Sequence, residues 1–116
     1  MRFLTVYKTV ERNEPPTPEE MAAMGRLIED STRAGVLLAT EGCQPTSKGA
    51  RVRLSNGKVT VTDGPFTEAK EVIAGFAILQ ARSKEEAIEH VKNFLKVAGD
   101  GESEIRLLHE PTDFPS

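Results

Sequence analysis

Tryptophan is absent from these 116 residues, and cysteine and tyrosine occur once each. Each scarcity closes off a class of function. A single thiol, Cys43, can form no intrachain disulfide and supplies no cysteine-rich zinc site, which fits a reducing compartment. Beside Glu41 its thiolate is disfavoured, so it reads as an unreactive strand-end or turn cysteine. Excess positive charge is missing too: 15 basic residues against 18 acidic give a net charge of −3. Nucleic acid and anionic membranes normally require a basic patch, so neither is expected as a partner. No apolar stretch approaches the roughly 20 residues of a membrane helix. The opening Met-Arg-Phe-Leu-Thr-Val-Tyr-Lys is too short and too polar for a signal peptide, and a cytoplasmic protein is expected. Gly-x-Gly-x-x-Gly, Walker, Glu-x-x-His and Gly-x-Ser-x-Gly patterns do not occur, so no cofactor, no metal and no serine elbow are expected.

What is present is one domain's worth of alternating and helical periodicity. Residues 2–10 alternate as a strand. Thr17-Pro18-Glu19-Glu20 is a capping box with proline at the first helical position, opening a helix with Met24, Leu27, Ile28 and Ala34 on its apolar stripe. Gly35 is its left-handed stop, and Met21 and Met24 read as core filler. Val36 to Ala39 reads as a buried strand with Glu41 at its end. Val52, Leu54, Val59 and Val61 alternate with polar residues on either side of Asn56-Gly57, the strongest short-range hairpin signal. A strand over 72–81 follows. Ser83 to Glu86 is a second capping box, and it opens a helix that Gly99 and Gly101 end. Ile105 to Leu108 is the last strand. The order predicts an α+β, ferredoxin-like βαββαβ plan with an inserted β-hairpin. The domain spans 1–110, with a poorly ordered tail over 111–116.

The densest stretch is 62–78. Asp63-Gly64-Pro65-Phe66 is a turn in which Gly64 is free to take backbone angles closed to other residues. Behind it stand Glu68, Lys70 and Glu71, and then an apolar strand. With the upstream Glu41-Gly42-Cys43-Gln44-Pro45, this arrangement resembles the DGPF branch of the YCII-related domain family over roughly Met1 to Glu110. The resemblance implies the same fold and a dimer of α/β-barrel type, in which two sheets face each other. It leaves the activity open, because most members have none established. Related branches pair a helix histidine with an aspartate, whereas the helix from Pro18 to Ala34 has no histidine. Members are often encoded beside extracytoplasmic-function sigma factors, which implies a ligand-binding or regulatory partner as an alternative to an enzyme.

Both faces of the strand from Val72 to Leu79 are apolar, yet two helices can cover only one of them. A homodimer joined through the sheet faces is therefore expected. The candidate site is a carboxylate–lysine cluster near the DGPF turn. Asp63, Lys70 and Glu41 are the candidate catalytic residues, and Tyr7, Phe66, Glu71 and Phe76 are candidates for binding a small molecule. Carboxylates beside one another or against the apolar wall of Phe66 and Phe76 gain proton affinity, and Lys70 suits a substrate anion, so cofactor-free acid–base chemistry is the expected reaction type. The competing reading is structural: Asp63 caps the turn, and Lys70 pairs with it or with Glu71. His90 is expected on solvated helix surface. His109, sharing a face with Ile105 and Leu107, is a weaker candidate for the cleft.

Overall fold

The computed structural model describes residues 1–114. Eight regular elements follow in the order β1 (Arg2–Thr9), α1 (Pro18–Arg33), β2 (Leu37–Gly42), β3 (Ala50–Ser55), β4 (Lys58–Asp63), β5 (Val72–Gln80), α2 (Lys84–Ala98) and β6 (Glu102–Leu107). Strands β2, β5, β1 and β6 lie side by side in that order, antiparallel throughout, while β3 and β4 form a separate two-stranded sheet. This is an α+β arrangement of two helices and antiparallel sheets, compatible with a ferredoxin-like plan.

Register decides which side chains share a face. Phe3, Thr5 and Tyr7 lie opposite Leu79, Ala77 and Gly75 of β5, and opposite Leu107, Ile105 and Ser103 of β6. That face looks toward the helices. Phe3, Ala81 and Ala87 form the fully packed cluster, with Ile105 against it, and burying Phe3 contributes about 1.5–3 kcal/mol. Leu4, Val6, Phe76 and Ile78 occupy the other face, which no helix among the described residues covers; Phe76 remains 37% exposed.

Helix α1 begins as its capping box dictates. The Thr17 hydroxyl accepts from Glu20 N–H at 3.1 Å, and the Glu20 carboxylate accepts from Thr17 N–H at 3.2 Å. Helix α2 begins differently from the sequence expectation. Ser83 accepts from Glu86 N–H, but the Glu86 carboxylate turns away to Arg82 at 2.9 Å and is held below its usual pKa by that hydrogen bond. One half of the box is replaced by an ion pair one helical turn long.

Two further expectations need correction. The Val36–Ala39 segment is not a buried strand: β2 lies at the sheet edge, bonded only to β5, and Leu38 is 50% exposed. Met21 and Met24 are not core filler, because no residue of α1 is buried. Of the tail, Pro111–Asp113 forms a short 3₁₀ turn with Glu110 anchored to Arg2 at 2.9 Å, while 115–116 lie outside the described residues.

Candidate functional site

The inward stripe of α1 is only half-buried, and a cavity of about 650 Å³ lies between the two helices and β1, β2 and β5. The walls are mainly aliphatic and aromatic. Met24, Leu27 and Ile28 come from α1, Val91, Phe94 and Val97 from α2, and Ala77 and Leu79 from the sheet. This apolar stripe of α1 was legible as a helix face, but its partner is open space and not packed core.

Polar groups in the walls divide into those already engaged and those free to meet a ligand. The Tyr7 hydroxyl donates to the turn that follows α2, shared between the Gly99 and Asp100 carbonyls at 3.1 and 3.0 Å. Its ring meets Phe94 edge-on at 5.2 Å. The Thr40 hydroxyl donates to the Phe76 carbonyl at 2.8 Å. Glu20 accepts from Arg12 at 2.7 Å, and its carboxyl is held down to about 2, first by that hydrogen bond and then by the Thr17 amide. A carboxylate of such low proton affinity is a poor base near neutrality.

The side chains of Ser31, Asn93 and His90 remain. Glu41, at the end of β2 opposite Phe76, borders the cavity along its strand, but that register puts it with Phe76 on the open sheet face. His90 corrects the expectation of solvated surface: it is half-buried in the cavity wall, and its Nε2 is buried with no hydrogen-bond partner among the described residues, 3.8 Å from the Glu86 carboxylate. A buried, unmatched ring nitrogen is costly unless something satisfies it. Sequence reasoning missed this residue because His90 lies between inward Ile88 and Val91 but off their stripe; only the cavity beside α1 reaches that flank of α2.

The DGPF turn lies elsewhere. Tyr7 lines the cavity, and Glu41 and Phe76 border it along β2 and β5 from the open sheet face, whereas Asp63, Phe66, Lys70 and Glu71 do not touch it. Asp63 ends β4 opposite Ala50 and is exposed, as are Lys70 and Glu71. The structural roles expected for them are filled by others. Gly64 N–H donates to the Gly49 carbonyl at 2.9 Å and Phe66 N–H to the Thr46 hydroxyl at 3.0 Å. Thr46 in turn donates both its amide and its hydroxyl to the Glu11 carboxylate, each at 2.9 Å. The charged cluster is tied by Arg51, which pairs with Glu68 and stacks 3.8 Å over the Phe66 ring. Among the described residues no ion pair involves Asp63, Lys70 or Glu71. Gly64 is required for a different reason than free backbone angles, since a Cβ there would sit 1.7 Å from the Thr46 carbonyl oxygen. His109 also leaves the cleft: it is exposed, 3.7 Å from Asp113 and against Phe114.

A family model described as the YCII-related domain matches residues 1–108. An uncharacterized protein of Rhizobium meliloti is 34% identical over 86 residues, covering 72% of this chain and 69% of that protein.

Proposed function

Because the chain belongs to the YCII-related domain family, we propose that it uses this family's fold to bind a small, largely apolar organic molecule in the cavity between α1, α2 and the sheet. The observation that carries this reading is the cavity itself. Its volume of about 650 Å³ lies inside the roughly 300–1,000 Å³ range of small-molecule sites, and its apolar walls hold a few converging polar groups, as such sites do. Proton transfer to or from the bound molecule falls to His90, whose Nε2 is buried without a partner among the described residues. The Tyr7 and Thr40 hydroxyls and Glu20 are already committed to backbone or to Arg12. Such chemistry needs a positioned group within reach of the substrate proton and no cofactor. The assembly we propose is a homodimer joined through the open sheet face, where Ile73 and Phe76 are exposed, in the manner of dimeric α/β barrels.

A thermal-shift screen of small organic compounds tests the site. A compound at about 100 times its dissociation constant stabilises the fold by roughly 2.7 kcal/mol, about 10 °C for a chain of this size. Ala77→Phe, which places a ring in the cavity wall, should abolish the shift. A hit whose shift survives Ala77→Phe but disappears in Asp63→Asn would move the site to the DGPF turn and refute the cavity reading.

A further inference from the structure

Among the described residues the β3–β4 hairpin has no packing partner that accounts for its composition. Both of its six-residue strands are exposed along their whole length. The cross-strand pairs Val52–Val61 and Leu54–Val59 put four aliphatic side chains on one face, each more than 60% exposed. Arg51, Arg53, Thr60 and Thr62 alternate onto the other. A lone two-stranded hairpin is marginal in water, and an apolar face on it is an association site.

The dimensions of the whole molecule say how much surface is uncovered. A compact monomer of 12.7 kDa exposes about 6,200 Å². This chain exposes 8775 Å², an excess of about 2,500 Å² over that scaling. Its radius of gyration is 16.4 Å where about 13 Å is usual for this length, and its extents of 49 × 43 × 18 Å describe a thin slab. Obligate homodimers bury roughly 2,000–5,000 Å² summed over both chains, and the excess doubled over two copies, about 5,000 Å², reaches the upper end of that range.

We infer that the aliphatic face of the hairpin is an arm that packs on a second copy of this chain. It extends the contact made by the open sheet face. Charge favours an identical partner. The open sheet face carries Lys8, Glu104 and Arg106 as a mixed-sign cluster, with Lys8 and Arg106 each paired to Glu104 at 3.3 and 3.2 Å. A surface holding both signs beside apolar side chains suits a twofold, self-complementary contact. The arm rests on the homodimer reading above, but it fails separately from it.

The test pairs a variant with a measurement on the unaltered chain. Val52→Glu with Val61→Lys keeps a cross-strand pair on the hairpin while removing half of its aliphatic face. Light scattering behind a sizing column should give twice the 12.7 kDa chain mass for the wild type and the single-chain mass for the variant at micromolar concentration. The loss of affinity should be about 100-fold or more, from exposing two valines per protomer. Hydrogen exchange on the wild type should show amides of residues 51–62 protected in the dimer and losing that protection on dilution. A variant that stays dimeric with unchanged affinity overturns the arm and leaves the sheet dimer standing. A wild type that is monomeric at these concentrations overturns both and leaves the face to another protein. Should the variant not fold, hairpin amides that exchange in the wild-type dimer as fast as in a free hairpin overturn the arm by themselves.

Discussion

Replacing Gly64 by alanine tests the account of the DGPF turn in a single substitution. The added carbon would lie 1.7 Å from the Thr46 carbonyl oxygen and 2.6 Å from its carbon, with the Gly49 carbonyl at 3.3 Å. All three atoms are backbone and cannot swing aside as a side-chain tip can. Reaching ordinary contact requires Thr46 to retreat by about 1.7 Å, which breaks the Phe66 amide's bond to the Thr46 hydroxyl and disturbs that of Gly64 to Gly49. Two hydrogen bonds at about 1 kcal/mol each and overpacking strain of about 1–3 kcal/mol give a loss of about 3–5 kcal/mol. At about 4 °C per kcal/mol for this length, the melting temperature should fall by about 12–20 °C. Gly25→Ala is the matched control. It lies in exposed α1 with nothing within 4 Å of the new carbon, so relief of helix entropy should raise the melting temperature by about 2–4 °C. A Gly64→Ala protein that melts within about 2 °C of wild type in differential scanning calorimetry would refute the claim that close backbone approach fixes this glycine.

Two other outcomes are expected. The Glu20 carboxyl is depressed to about 2 from its usual 4.5, so its stabilisation of α1 is fully present above about pH 4.5 and is lost as pH falls toward 2. Carbon-13 NMR of Glu20 should show the low midpoint, Arg12→Ala should raise it, and a wild-type midpoint near 4.5 would contradict the Arg12 pairing. At the hairpin tip, Asn56 and Gly57 have φ of 51° and 76°, so Gly57→Val should cost about 1–2 kcal/mol through left-handed strain; an unchanged urea midpoint would count against it.

Local signals carried most of the secondary structure. Thr17 and Glu20 both had to be present three residues apart for the reciprocal bonds to form, and that spacing is visible in the sequence. Asn56-Gly57 is equally local, since the turn's positive φ values are a property of those two residues. What the sequence could not yield was the setting of each element. The aliphatic run Val36 to Ala39 looks the same whether a strand lies at the centre of a sheet or at its edge, and only the pairing with β5 alone exposes Leu38. For the site, the sequence groups Glu41, Tyr7 and Phe76 with Asp63 and Lys70 in a cleft near the DGPF turn by charge and by nearness in sequence, whereas the cavity between the helices and the sheet is bordered by the first three and by neither Asp63 nor Lys70. The residues that hold the DGPF turn, Thr46 and Glu11, lie 20 and 55 positions from Phe66 and carry no local signature. Their contact is a product of chain geometry, as is the burial of the His90 ring nitrogen.

The half-buried setting of α1 has a thermodynamic meaning beyond leaving room. A helix of 16 residues with none fully buried rests on a half-buried stripe alone, so it sits at the low end of local opening free energies. Its apolar stripe still faces inward and lacks only material to pack against. On the function proposed above, a molecule bound in the cavity would complete the interior as a side chain does, and its binding energy would become folding energy of the first helix. In the ligand-free protein α1 should be the first element to exchange its amides and the first to be nicked by protease, and in the bound protein it should join the core it now only overlooks.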